Sequence, residues 1–341
     1  MGPPESHTSV GITSIGYYIP KQVITSAEIA EISGIPLTIL TEKFGIEQKH
    51  IAGPDEHPVL MAEKAALSAI EKGRINPADI NIIAYCGAGC YDYQFWSPSS
   101  RLQHILRAPN AFTIDIKGAC NGGILAINIC NNLLKSDSAK KSALIVCSDK
   151  LSPVMNYGNT DTLPFFAIGD GAAAAVLTRD EPSNELLTYE GITDGTCGDY
   201  VKIPCVGTRV AELCSNQKHA SRISVDPAKA LADISPDVFL GNFISVIRKA
   251  VLKSGYQTPE ISWLLTNQIK KTRVMDILAE LGLDATKTRS TMKDFGSIGP
   301  GDTIFALGLQ RDDALIKPGD LVVLASSGIG FTWGAQVVRY R

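Results

Sequence analysis

The stretch of this chain best suited to chemistry is Gly118-Ala119-Cys120-Asn121-Gly122-Gly123. An alternating apolar stretch over 111–116 leads in, and a helical pattern of Ile124, Leu125, Ile127, Ile129, Leu133 and Leu134 leads out. Cys120 therefore falls where a strand turns into a helix. At such a point unpaired backbone N–H groups and the positive end of the helix dipole favour an anion. A thiolate is such an anion, so the position predicts a lowered thiol pKa and a nucleophilic cysteine. Gly118, Gly122 and Gly123 let the backbone turn sharply and let a substrate approach. The alternative is a buried structural cysteine at a helix start, which is the reading for the other seven cysteines. Cys86 and Cys90 are four apart, but no second Cys/His pair stands at ligand spacing, so the sequence gives no zinc site.

The elements that position this turn alternate between strand and helix. Strands are expected over 10–16, 50–52, 80–85, 143–148, 168–177, 261–265, 320–325 and 331–339. Helices are expected after a Thr25 or Ser26 cap, over 58–72 and 98–106, after Cys120, over 238–254 and 271–281, and from Thr303. An aromatic loop carries Tyr91, Tyr93, Phe95 and Trp96. The polar, Gly- and Pro-bearing region 180–235 reads as a strand pair and a long connection. Such alternation is the mark of an α/β fold. A faint internal repeat relates 65–85 to 246–265, each running from helix through a Pro-containing turn into a buried strand. Two halves of about 170 residues would each have ordinary domain size.

Composition excludes several classes. Hydrophobic residues make up 45% of the 341 residues and charged ones 20%, enough for one large or two medium cores. Net charge is −3, which advertises no nucleic-acid face. No apolar run reaches membrane-spanning length. The polar Met1–His7 stretch carries no signal-peptide pattern, and Pro3-Pro4 argues against myristoylation. Cysteines inside apolar runs such as Ile145-Val146-Cys147 suit a reducing, cytoplasmic setting.

From Gly11 to Tyr340 the chain resembles the β-ketoacyl-ACP synthase III group of the thiolase superfamily. The most specific matches are the Cys120 turn, Gly169-Asp170-Gly171-Ala172, and Gly330-Phe331-Thr332-Trp333-Gly334. The resemblance implies a thiolase-like five-layered α-β-α-β-α fold from two pseudo-repeated halves, 1–178 and 179–341, and a homodimer. It implies that Cys120 takes an acyl group from acyl-CoA or an acyl-phosphopantetheine carrier protein, with no bound cofactor and no metal. It also implies an oxyanion hole from the backbone N–H groups of Cys120 and Ile329, although the family has glycine where Ile329 stands.

The chain departs from the family at its next two catalytic positions. The family's His-Gln pair aligns with Asn267-Gln268, and its Gly-Asn pair with Gly296-Ser297. None of His7, His50, His57, His104 and His219 replaces the missing histidine. Asn267 cannot take up a proton at neutral pH, but it and Ser297 can donate hydrogen bonds to an enolate oxygen. Attack by an alcohol would want a base, and none stands at the matched positions. Ile39 and Lys43 replace the family's Trp and Arg around the CoA adenine, and Thr162 replaces a second Arg. This weakens the case for free CoA and leaves a carrier-protein-bound phosphopantetheine as a comparable donor. Lys270, Lys271 and Arg273 form a basic patch for such a carrier or, equally, a solvated helix face. Phe95 aligns with the aromatic that crosses the dimer interface to line the partner's acyl pocket. The sequence thus implies an acyltransferase passing an acyl group from Cys120 to a carbon or amine acceptor, in fatty-acid-like or specialised-metabolite synthesis. The alternatives are a non-catalytic partner subunit of a heteromeric synthase and a thioester hydrolase.

Overall fold

A computed structural model describes residues 8–204, 222–226 and 236–341. The expected Cys205, Cys214, His7 and His219 features, and most of the connection after 204, lie outside the described residues. The strands are β1 Val10–Tyr18, β2 Gln22–Thr25, β3 Gln48–Ile51, β4 Ile82–Gly87, β5 Phe112–Lys117, β6 Ser142–Lys150, β7 Asp170–Arg179 and β8 Asn184–Thr193. They continue with β9 Val201–Lys202, β10 Ser224–Val225, β11 Trp263–Thr266, β12 Leu321–Gly328 and β13 Thr332–Tyr340. The helices are α1 Ser26–Ser33, α2 Pro58–Gly73, α3 Pro98–Ile105, α4 Gly122–Ser136, α5 Pro236–Lys253, α6 Lys271–Leu281, α7 Met292–Phe295 and α8 Asp302–Asp312. The α1 start carries the capping box its sequence implies, Thr25 with Glu28.

Nine strands form one mixed sheet in the order β11-β12-β13-β8-β1-β7-β6-β4-β5. β4 pairs in parallel with both β5 and β6, and β11 with β12. β4 and β6 are buried nearly throughout, as parallel strands covered on both faces must be.

The period-2 alternation of side chains sorts the sheet into layers. Ile83, Tyr85, Leu144, Val146, Ala172 and Ala174 pack against α2 and α3. Their neighbours Ile82, Ala84, Cys86, Ala143, Ile145 and Cys147 face the other way, onto α4 and α8. At the far end of the sheet, Val322, Leu324 and Val338 face that same helical layer. The opposite side chains, Leu321, Val323, Ala325, Trp333 and Val337, pack against α5 and α6. The order is helices, sheet, helices, sheet, helices, so the five-layered α/β expectation holds. β1 and β8 meet at Gly11↔Glu185, the point where one part of the sheet passes into the other.

Element boundaries move by a few residues from the sequence expectation, for instance at β4, whose strand pairing begins at Ile82 rather than 80. The 180–235 region does hold a strand pair, β9 with β10, and also the long strand β8. β5 ends the sheet, and its Phe112 is exposed.

Lys49 on β3 is completely buried. Its Nζ donates to the carbonyls of Phe166 and Ile168 and lies 5.0 Å from the centre of the Tyr157 ring. Burial pushes its pKa down to about 7, opposed by Asp170.

Candidate active site

Cys120 sits in a single 3₁₀ turn, Ala119–Asn121, that runs directly into α4. The strand-to-helix placement read from the sequence is therefore correct. Ala119 has a φ of 45°, a left-handed conformation that costs a residue with a Cβ about 1–2 kcal/mol. Such strain gathers where a side chain has to be aimed. The turn is clamped from β12. Ser326 Oγ donates to the Cys120 carbonyl at 2.8 Å. A Cβ on Gly328 would come within 2.7 Å of the Gly118 carbonyl oxygen and 3.1 Å of the Asn121 nitrogen, so this approach requires glycine.

The thiol pKa runs opposite to the sequence expectation. Burial pushes Cys120 up to about 12, and the nearby Asp302 and Asp149 carboxylates add to the rise. Only its own backbone N–H pulls the other way. Burial outweighs the helix start here, because the thiolate is the form that desolvation penalises. Cys120 therefore rests as a thiol.

A cavity of about 670 Å³ opens above it. Cys120, Asn267, Ser297 and Ile329 all line this cavity, as do Ile39, Lys43, Lys270 and Arg273. These residues come from widely separated parts of the chain, and the fold brings them together. Ile39 and Lys43 lie on a π-helical turn, Ile39–Phe44. Lys270 Nζ lies 5.8 Å from the centre of the Phe44 ring, and Arg273 pairs with Asp276 at 3.6 Å.

Three further residues singled out in the sequence lie outside the cavity lining. Phe95 is fully exposed in its loop and does not line this chain's cavity. Lys271, the first residue of α6, also lies outside the lining. Thr162 is buried, and its hydroxyl donates to the Asn156 and Asn159 carbonyls, which removes it from substrate contact.

The two substituted positions make specific bonds. Asn267 is buried just beyond β11. Its Nδ2 donates to the Ser327 carbonyl at 3.2 Å, and its Oδ1 accepts from the Ser327 N–H at 3.1 Å. A backbone N–H only donates, so this pair fixes which end of the amide is oxygen. Ser297 Oγ donates to Asp302 Oδ2 at 2.7 Å and accepts from Gly299 N at 3.2 Å. Its backbone bridges to Ile168. Both residues thus hold the pocket's frame as well as facing its space.

Sequence reasoning missed Asp302, Gln268 and the aromatic wall of Tyr200, Phe239 and Phe331. Gln268 Oε1 accepts from Thr291 N and Met292 N, both at 3.0 Å, pinning the loop before α7. Phe331 stands 6.1 Å from Tyr200 and 6.2 Å from Phe239 between ring centres, edge-on to the latter. Asp302 begins α8, where an acidic residue has an ordinary explanation in the helix dipole, so its sequence position gave no signal.

This layered fold, with a cysteine turn opening into a deep cavity, defines a thiolase-like acyl-transferring enzyme. Two family models match the chain: 3-oxoacyl-[acyl-carrier-protein (ACP)] synthase III over residues 114–195, and its C-terminal counterpart over 251–340. The beta-ketoacyl-[acyl-carrier-protein] synthase III of Rhizobium johnstonii is 26% identical over 339 residues, covering 96% of this chain and 98% of its own. That of Sphingopyxis alaskensis is 28% identical over 330 residues, covering 95% and 97%. Among solved structures, the Aquifex aeolicus 3-oxoacyl-[acyl-carrier-protein] synthase III superposes with a TM-score of 0.84 at 24% identity, covering 97% of this chain and 100% of its own. The priming beta-ketosynthase of the R1128 polyketide biosynthetic pathway superposes at 0.85 with 18% identity, covering 100% and 99%. These two structures establish the fold. The chain belongs to the 3-oxoacyl-[acyl-carrier-protein] synthase III family.

Proposed function

We propose that Cys120 accepts an acyl group from a thioester donor and passes it to a second substrate held against Asn267 and Ser297. The observation that carries this reading is the one cavity lined by Cys120, Asn267, Ser297 and Ile329 together. Its mostly apolar lining suits an acyl chain, and the backbone N–H groups of Cys120 and Ile329 would receive the carbonyl oxygen as charge develops on it. Thiol deprotonation would then accompany donor binding, since the resting group is protonated.

The donor is a phosphopantetheine thioester, on CoA or on an acyl carrier protein. Lys43, Lys270 and Arg273 line the same cavity and Lys271 adjoins them in sequence, which favours an anionic donor. The chain reads as two halves, 1–178 supplying the cysteine and 179–341 supplying Asn267 and Ser297. β5 is a sheet edge with the exposed Phe112, and the Tyr93 and Phe95 side chains nearby in sequence are exposed as well. An edge strand with exposed aromatics favours pairing with a second copy, so we infer a homodimer. Of the six described cysteines, Cys86, Cys90, Cys120, Cys130 and Cys147 carry no disulfide, which supports a cytoplasmic setting. Fatty-acid-like or specialised-metabolite synthesis is the pathway class that this chemistry serves.

Intact-mass measurement after incubation with acetyl-CoA, octanoyl-CoA and octanoyl-carrier protein tests the reading. One acyl adduct per chain is expected on the wild type and none on Cys120→Ala. An adduct that survives in Cys120→Ala would show that another nucleophile is used.

A further inference from the structure

Asp302 carries the negative charge that the mechanism above leaves unused. Its side chain is completely buried, and among the described residues no cation pairs with it. Three donors hold it instead. Oδ2 accepts from Ser297 Oγ at 2.7 Å and from Gln268 N at 2.8 Å, and Oδ1 accepts from Ile298 N at 2.7 Å. A buried carboxylate without a cation is costly, and three donors are what keep it ionised. Burial still pushes its pKa up to about 6, which leaves it ionised at neutral pH and ready to take a proton. Among titratable groups, Cys120 on the turn before α4 feels the Asp302 charge, Asp149 at the end of β6 acts on that same thiol, and Lys49 on β3 packs against Gly296, the residue before Ser297.

This arrangement bears on which acceptor the site is built for. Condensation with a malonyl-type donor makes an enolate oxygen that needs hydrogen-bond donors. The one proton of Ser297 points to Asp302, and the Asn267 amide has already given one of its two protons to Ser327. A carboxylate one hydroxyl away from the cavity repels an enolate as well. The same carboxylate favours an acceptor that has to lose a proton as it attacks.

We propose that Ser297 and Asp302 form a proton relay for a hydroxyl or amine acceptor, so that the second half-reaction forms an ester or amide rather than a carbon–carbon bond. The proposal rests on acylation of Cys120 as read above. The acceptor's O–H or N–H proton passes to Ser297 Oγ while the Ser297 proton passes to Asp302. The acceptor oxygen or nitrogen bonds to the thioester carbonyl carbon, the carbon–sulfur bond breaks, and sulfur leaves as thiolate. The proton held on Asp302 returns through Ser297 to Cys120 sulfur, so the enzyme ends as it began, with no oxidant, reductant or water consumed. Ser297 is the catalytic residue because it touches the acceptor. Asp302 is a positioning residue that acts through it.

The experiment uses the full chain, loaded with an octanoyl group from octanoyl-CoA and mixed with 1-hexanol, hexylamine or malonyl-CoA. Products are read by mass spectrometry between pH 5 and 9. Hexyl octanoate or N-hexyloctanamide should form on the wild type, with a rate that falls as pH drops through about 6. Asp302→Asn should lose that acid limb and slow transfer by roughly 10²-fold relative to acylation of Cys120, whose thiol is freed of the Asp302 charge that raises its pKa. Asp302→Glu should restore part of the rate. Ser297→Ala should slow transfer likewise and serves if Asp302→Asn does not fold. A 3-oxodecanoyl thioester from malonyl-CoA, with no ester or amide, overturns the proposal. So does an acid limb unchanged in Asp302→Asn. Acylation of the wild type without transfer to either hexyl acceptor overturns this inference alone, whereas a wild type that is never acylated overturns the acyl-cysteine reading and this one with it.

Discussion

Asn267 bonds twice to the backbone of one residue, to its N–H and to its carbonyl, as a neighbouring strand would. The residue it holds, Ser327, precedes Gly328 and Ile329, whose backbone belongs to the same cavity. Asn267→Ala would leave the Ser327 N–H and carbonyl buried without partners, a cost of about 1–3 kcal/mol. Because the turn it releases serves both half-reactions, we expect acylation and transfer to slow together, by about tenfold or more, with a lower melting temperature. Rapid-quench rates of the two steps check this, and slowing of transfer alone would return Asn267 to the role of a simple donor. The sequence revealed Cys120 because everything that marks it is local: an apolar strand, glycines, then a helical pattern. It did not reveal the thiol's raised pKa, which comes from burial and from Asp302 and Asp149, far along the chain. Asp302 was hidden for the same reason. Its function depends on the company of Gln268 and Ser297, and alone it reads as a helix-start acid.

At the scale of elements, the contact between β12 and the turn before α4 holds the two sides of the cavity in register. A Cβ at Gly328 would meet the backbone of that turn, the Gly118 carbonyl oxygen and the Asn121 nitrogen. Backbone cannot rotate away as a side chain tip can, so Gly328→Ala should displace the Cys120 turn. The expected result is a fall in stability of a few kcal/mol, in the range of overpacked cores, and loss of the acyl adduct. Thermal unfolding and intact mass measure the two effects, and a variant with wild-type stability and acylation would mean that the turn is free to shift. Helices and buried strands were legible from their periods, and α6 begins and ends where its sequence implies. The region after β7 was not, because β8 carries a half-exposed, mixed pattern that neither period fits.

Across the whole molecule, five layers follow from alternation alone once the strand order is known, but the strand order is not written in any local pattern. Only the faint repeat between 65–85 and 246–265 hinted that two parts of the chain are built alike. The edge at β5 is where a second copy would extend the sheet. Phe112→Lys should place charge on that edge and shift the species to monomer at micromolar concentration, as read by light scattering. A dimer that withstands this change would have its interface elsewhere.

Lys49 gives the molecule a further property, one that belongs to folding rather than to catalysis. An unfolded lysine holds its proton up to about pH 10. The buried one lets it go near pH 7, since a neutral amine still has two protons for the Phe166 and Ile168 carbonyls. Between those values the unfolded chain binds more protons than the folded one, so Lys49 makes stability rise with pH from about 7 towards 10. Refolding at pH 8.5 in a weakly buffered indicator solution should therefore acidify the medium by about one proton per chain more for the wild type than for Lys49→Met. Equal acidification by the two proteins would mean that the core carries a charged ammonium after all. The collapse of this chain is thus itself a chemical event that a pH electrode can follow.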